Sequence, residues 1–233
     1  MKLYVCFLCY VLIFQFLLLE GQSQEIIHKT VDFKWAVLQK DRNKNITSVT
    51  PDKLTDTRYT NEIIITEKDQ FKIFFQPEKN AYIYIFLYKS NKDLIILFPQ
   101  NKNQFKEYIY FGNSFFLPAE NTWLNFNKQT GMAKIYFIAS ANHITKLEKL
   151  IQNLLDLLDQ NTEKTIQTGR IKQKIIHEII NLKKQHLHND AYTGLPVPIA
   201  GSIRGEEKKL HFNATHMQIK NFYLKTIFFK YRK

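Results

Sequence analysis

Apolar and polar residues alternate from the first folded segment onward. Between residues 25 and 39, Val31, Phe33, Trp35 and Val37 share one side, with Asp32 and Lys34 between them. That is the period of a half-buried strand. Residues 40–58 are polar, with Asn45, Ser48, Thr50 and Pro51-Asp52, and read as a loop. From Tyr59 to Ser140 the chain predicts consecutive strands. Ile63–Ile65, Phe71–Phe75 and Ala81–Tyr88 come first; a turn at Ser90-Asn91-Lys92-Asp93 then leads into Leu94–Phe98, which pairs back as a hairpin and stops at Pro99. Tyr108–Phe111, Phe115–Leu117, Trp123–Phe126 and Ala133–Ala139 follow, the last entered through a turn at Asn127–Gly131. In the strand Tyr82–Tyr88, Tyr82, Tyr84 and Phe86 form one face and Ile83, Ile85 and Leu87 the other. The tyrosine face fits a carbohydrate or peptide platform, but such runs are ordinary in central strands, so both faces are expected to be buried in a sandwich.

At residue 144 the period changes. Ile144, Leu147, Ile151, Leu154 and Leu158 align on one helical face, with Glu148, Lys149, Gln152 and Asp156 on the other. Thr145 and Glu148 have the spacing of a capping box. A second helix is expected over about 163–188, with Ile171, Ile175, Ile179 and Leu182 inward and Lys174, His177, Asn181 and Lys184 outward. Its isoleucines are weak helix formers, so packing must hold it. Residues 189–206 carry Gly194, Pro196, Pro198, Gly201 and Gly205 and read as an ordered loop. Strand character returns over Leu210–Phe229, with a phase slip near Asn221 that predicts a bulge or turn. The expected fold is α+β and β-rich: an antiparallel sandwich-like core with a helical hairpin inserted before the last strands. Its segments are a signal peptide (1–23), an N-terminal strand and polar loop (24–58), a β-rich core (59–143), the hairpin (144–188), a Gly/Pro loop (189–209) and C-terminal strands returning to the core (210–233).

The signal peptide is read from Lys2, the apolar run Leu3–Leu19 and the small residues Gly21 and Ser23. Cleavage is expected between Ser23 and Gln24, with an uncleaved membrane anchor as the alternative. Cys6 and Cys9 both lie inside this segment, and the bulky Leu8 before Cys9 argues against lipidation. The mature chain therefore has no cysteine, which excludes disulfides, thiolate metal sites and a cysteine nucleophile. Its net charge remains +12 after Lys2 and Glu20 are removed. On an exported chain, that charge points to phosphorylated or carboxylated envelope polymers or anionic lipid rather than nucleic acid, with a protein partner as the other option. The best-defined basic stripe is Arg170, Lys174 and Lys184 on the second helix.

Several residues carry a resemblance. They are Asp69 ahead of a strand, Tyr82-Ile83-Tyr84-Ile85-Phe86, Leu97-Phe98-Pro99, Gly112 before Leu117-Pro118, Gly131, and Arg204-Gly205 before the last strand. In this pattern the region 59–140 resembles the bacterial family called domain of unknown function 4384, with Lys68 standing where the family usually has glycine. Members occur alone with export signals or appended to kinase and caspase-like domains. The resemblance implies an accessory or binding role and brings no catalytic residue and no cofactor. With a bacterial source implied, the triplets Asn45-Ile46-Thr47 and Asn213-Ala214-Thr215 read as chance matches to a glycosylation signal.

Motifs for chemistry are sparse. His177-Glu178 lacks the second histidine of a zinc protease, because Asn181 occupies that position. His186, His188, Asp190, His211 and His216 are the sole candidate metal cluster, but two closely spaced histidines without a fixed third ligand are weak evidence, and a polar helix end is the favoured reading. No phosphate-binding loop and no nucleophile elbow occurs. The expectation is an exported, non-catalytic binding or scaffolding module, periplasmic, at the cell surface or extracellular. The alternative is an exported enzyme, such as a metal-dependent hydrolase.

Overall fold

The computed structural model describes residues 29–49, 62–79, 81–105, 112–119, 122–126, 132–159, 165–186, 194–201 and 210–231. The signal segment, the strand at 108–111, the turn Asn127–Gly131, His188, Asp190 and Arg204-Gly205 lie outside the described residues.

The strands are β1 (Thr30–Lys40), β2 (Ile46–Ser48), β3 (Glu62–Ile65), β4 (Gln70–Pro77), β5 (Tyr82–Tyr88), β6 (Leu94–Phe98), β7 (Phe115–Leu117), β8 (Leu124–Asn125) and β9 (Ala133–Ser140). Two helices follow, α1 (Thr145–Asp159) and α2 (Thr165–Gln185), and then β10 (Leu195–Gly201), β11 (Leu210–Lys220) and β12 (Phe222–Tyr231). One sheet runs β10-β11-β1-β4-β7, with β2 also on β1 and β8 on β4; the other runs β3-β12-β9-β5-β6. The fold is β-rich, with packed sheets and a helical hairpin before the last strands, as the periodicity predicts. Among the described residues all pairs are antiparallel except β3 with β12, which lie far apart in sequence and are under no hairpin constraint.

The two sheets meet through the alternating side of each strand. Val31, Phe33, Trp35 and Val37 of β1 and Phe71, Ile73 and Phe75 of β4 face Ile83, Ile85 and Leu87 of β5, Ile135 and Phe137 of β9, and Ile227 and Phe229 of β12. Phe137 is the aromatic hub, with ring centroids 5.4 Å from Phe33 and 5.2 Å from Trp35. A second apolar layer lies on the other face of the β9-containing sheet. There Tyr84, Phe86, Tyr136, Ile138 and Phe222 receive Leu147, Ile151, Leu154 and Leu155 of α1 and Ile175, Ile179 and Leu182 of α2. Both faces of β5 are thus buried, but the tyrosine face lies under the helices and not between the sheets. Among the described residues β6 is the last strand of its sheet.

Asn221 joins the sheets. It adopts φ 62° between β11 and β12, a left-handed conformation that asparagine tolerates better than most residues. Its amide donates to the Lys29 carbonyl at 2.9 Å, and its carbonyl accepts from the Ala141 amide at 2.8 Å. The phase slip read from the sequence is this crossing from one sheet to the other.

The Gly/Pro segment corrects the loop assignment, because residues 195–201 form β10. Pro196 and Pro198 sit opposite Thr215 and Asn213 on β10, the outermost strand of its sheet among the described residues. Proline is tolerated at such an edge, where no amide is needed on the open side. β11 pairs with β1 only from Lys220 to Thr215, and β2 continues along β1 from Leu38. The half of β11 beyond its pairing with β1, still paired with β10, packs Leu210, Phe212 and Ala214 onto Ala36, Leu38 and Phe74, closing a third, smaller cluster.

One inward position of β12 is charged. Lys225 falls on the same side as Tyr223, Ile227 and Phe229. It is 9% exposed, and burial lowers its ammonium pKa. β3 pairs with β12 only from Phe228 onward, so among the described residues β12 is an edge at Lys225. An inward lysine at an edge discourages pairing with another chain. Replacing it with methionine is expected to raise the melting temperature by about 2–4 °C, for roughly 1 kcal/mol regained, and to increase self-association. The folded-state pKa lies below the unfolded one, so between the two the unfolded chain binds more protons and stability rises with pH. The advantage of Lys225→Met over wild type should therefore shrink as pH rises through that window. Melting curves at neutral and alkaline pH, with light scattering, check both parts.

Candidate functional site

The helical hairpin sits on the tyrosine face through one polar junction. The Tyr84 hydroxyl donates to Glu148 Oε1, and the Ile144 amide donates to the same hydroxyl oxygen at 3.5 Å. His143 Nδ1 lies 2.8 and 3.0 Å from the two Glu148 oxygens, and its ring lies against Tyr82, tilted by 39°, with centroids 3.9 Å apart. Burial, and then the bond to Glu148, push the Tyr84 phenol above its ordinary pKa, so it stays protonated as the donor. Sequence periodicity places Glu148 on the solvent face and in a capping box. Instead it is 8% exposed, and its carboxylate is held by Tyr84 and His143. Leu158 is the converse correction: it belongs to the apolar stripe but is 52% exposed, while Leu155 takes the buried place.

The outward side of the hairpin holds an open groove of about 630 Å³. α1 contributes Lys146, Lys149 and Leu150 to its walls; α2 contributes Gln173, Lys174, Ile176, His177, Glu178 and Ile180. Glu178 is buried beneath it and forms an ion pair with Lys146 across the two helices. Lys149 and Lys174 are exposed and meet no carboxylate among the described residues. The groove therefore keeps a positive rim over an apolar floor.

Of the basic stripe expected from the sequence, Arg170, Lys174 and Lys184 are all exposed on α2. Lys174 lines the groove, whereas Arg170 and Lys184 lie along the same helix outside it. The sequence reading misses Lys146 and Lys149. Both fall on the polar side of α1, but nothing in one helix's period shows that they face the polar side of the next.

The histidines go elsewhere. His186 stacks on Phe222 at 3.9 Å, and burial lowers its pKa. His216 Nε2 lies 2.7 Å from Asp32 Oδ1, and His211 is exposed. Among the described residues, no three histidine, aspartate or glutamate side chains gather as a metal-binding group.

With this geometry in hand, comparison with known proteins places the core. Residues 66–143 match the family described as domain of unknown function (DUF4384). That segment belongs to this domain family. Searches of curated proteins and of solved structures return no match. The family-like residues do structural work here. The Thr66 amide donates to Asp69 Oδ2 at 2.6 Å, closing the turn into β4. Gly112, at φ 71°, donates its amide to the Pro77 carbonyl at 2.9 Å, and Phe98 and Leu117 end β6 and β7. The groove lies on α1 and α2, which follow the matched segment.

Proposed function

We propose that this is an exported, non-catalytic binding module of the bacterial envelope, which docks to an anionic envelope component through the outward face of its helical hairpin. The observation that carries the reading is the clustering of Lys146, Lys149 and Lys174 around one groove, where the single carboxylate, Glu178, is already paired. Arg170 and Lys184 extend the positive surface along α2, and the chain's +12 charge gives it long-range attraction to anionic partners. Such groups bind by charge and contact.

The test uses protein recovered from the exported fraction, with its mass checked for a start at Gln24. It is sedimented with anionic vesicles, neutral vesicles and cell-wall polymer at low and high salt. A lysine near an anionic membrane contributes about 1 kcal/mol. The pair Lys174→Glu and Lys184→Glu should therefore weaken binding by at least about 30-fold, and high salt should weaken it for wild type. Retention indifferent to both salt and the substitutions overturns the electrostatic reading, and no retention on any of these surfaces rejects it.

A further inference from the structure

We propose that the groove between α1 and α2 is a site for a single-chain amphiphile with an acidic head, a free fatty-acid carboxylate. Its chain lies on Leu150, Ile176 and Ile180, and its head is held by Lys149 and Lys174. The proposal rests on the reading of this face as anion-binding and deepens it from a charged surface to a site with a defined occupant.

Three observations converge on that occupant. The groove's volume, about 630 Å³, falls within the range of small-molecule sites, about 300–1,000 Å³. A purely electrostatic surface has no use for an apolar floor, yet Ile180, which lines the groove, is 42% exposed. Ile176 and Leu150 are half-buried beside it. Exposed isoleucine on the polar side of a helix leaves apolar area in water that a hydrocarbon chain would cover. The charge then selects the head. Lys146 is neutralised by Glu178, while Lys149 and Lys174, one from each helix, have no carboxylate partner among the described residues. Lysine stems can lie along the chain while their ammonium groups meet the carboxylate. A cationic or uncharged chain of equal length would gain the floor but not the rim, and a hydrophilic polyanion the rim but not the floor.

The experiment titrates the exported protein, by calorimetry, with dodecanoate below its micelle concentration. Octanoate, acetate and dodecyltrimethylammonium are run in parallel, and vesicle sedimentation is done on the same preparations. The expected result is one dodecanoate per chain, with affinity falling by up to about fourfold per methylene removed. Dodecyltrimethylammonium should show no saturable binding. Ile180→Gln, at an exposed position that tolerates a polar residue, should weaken dodecanoate about tenfold. Lys174→Glu should weaken both. If vesicles are retained in a salt-dependent way but dodecanoate does not bind, the groove proposal fails and the anionic-surface reading stands. Acetate binding as well as dodecanoate removes the role of the floor, and equal binding of the cationic amphiphile removes the role of the lysines; either overturns the proposal. Failure of vesicles and dodecanoate together overturns both readings.

Discussion

Replacing Tyr84 with aspartate is expected to abolish the folded state. Tyr84 is 2% exposed, and its hydroxyl is the donor that meets Glu148 between β5 and α1. The substitution removes a buried ring, a loss of the order of 3–5 kcal/mol by analogy with large aromatic truncations. It also sets a second carboxylate against a buried one, and an uncompensated buried charge costs about 3–5 kcal/mol more. Together these reach the whole stability of an ordinary domain, about 5–15 kcal/mol. Tyr84→Phe separates the two effects. It keeps the ring and leaves Glu148 with His143, so the expected cost is about 1–3 kcal/mol. That variant should fold and melt lower, by about 2–4 °C per kcal/mol for a chain of this size. Far-ultraviolet circular dichroism and thermal melting of both variants are the measurement. A soluble Tyr84→Asp protein with unchanged melting temperature would place this face of β5 in solvent. Because α1 also carries Lys146 and Lys149, the junction that fixes its rotation on the sheet also fixes which lysines reach the groove.

How much of this was legible depended on whether the deciding contact was local. β1 was readable because Val31, Phe33, Trp35 and Val37 all enter one core, and a period of two reports that directly. The two faces of β5 were readable as buried, but not what covers each, since an apolar face looks the same under a sheet or under a helix. β10 was hidden by its prolines, which mark a loop unless the strand is known to be an edge. Glu148 looked like surface because its partner Tyr84 is 64 positions away in sequence. Lys174 was visible in the period of α2. Its grouping with Lys149 depends on how α1 and α2 pack together, and no single helix records that.

Truncation after Gly205 is expected to leave no folded monomer, although the removed segment follows both helices and lies far from the core in sequence. β11 holds the position between β10 and β1, and β12 the position between β3 and β9, so the cut removes an interior strand from each sheet. Met217, Ile219, Phe222, Tyr223, Ile227 and Phe229, all buried, leave with it. At about 1.5–3 kcal/mol for each side chain buried, their loss amounts to roughly 9–18 kcal/mol as an upper estimate, against a typical total of about 5–15 kcal/mol. The cut also exposes one side of β1 along Thr30–Trp35 and one side of β9 along its whole length. Both are apolar strands with open hydrogen-bonding groups, the form of edge that recruits other chains. The truncated protein should therefore be recovered as aggregate, with no cooperative melting transition. Size-exclusion chromatography and circular dichroism of the 1–205 chain test this. A monomer with a cooperative melt would show that β4, β5 and β9 close a core without the C-terminal strands, and that β11 and β12 are an addition to it rather than half of its frame.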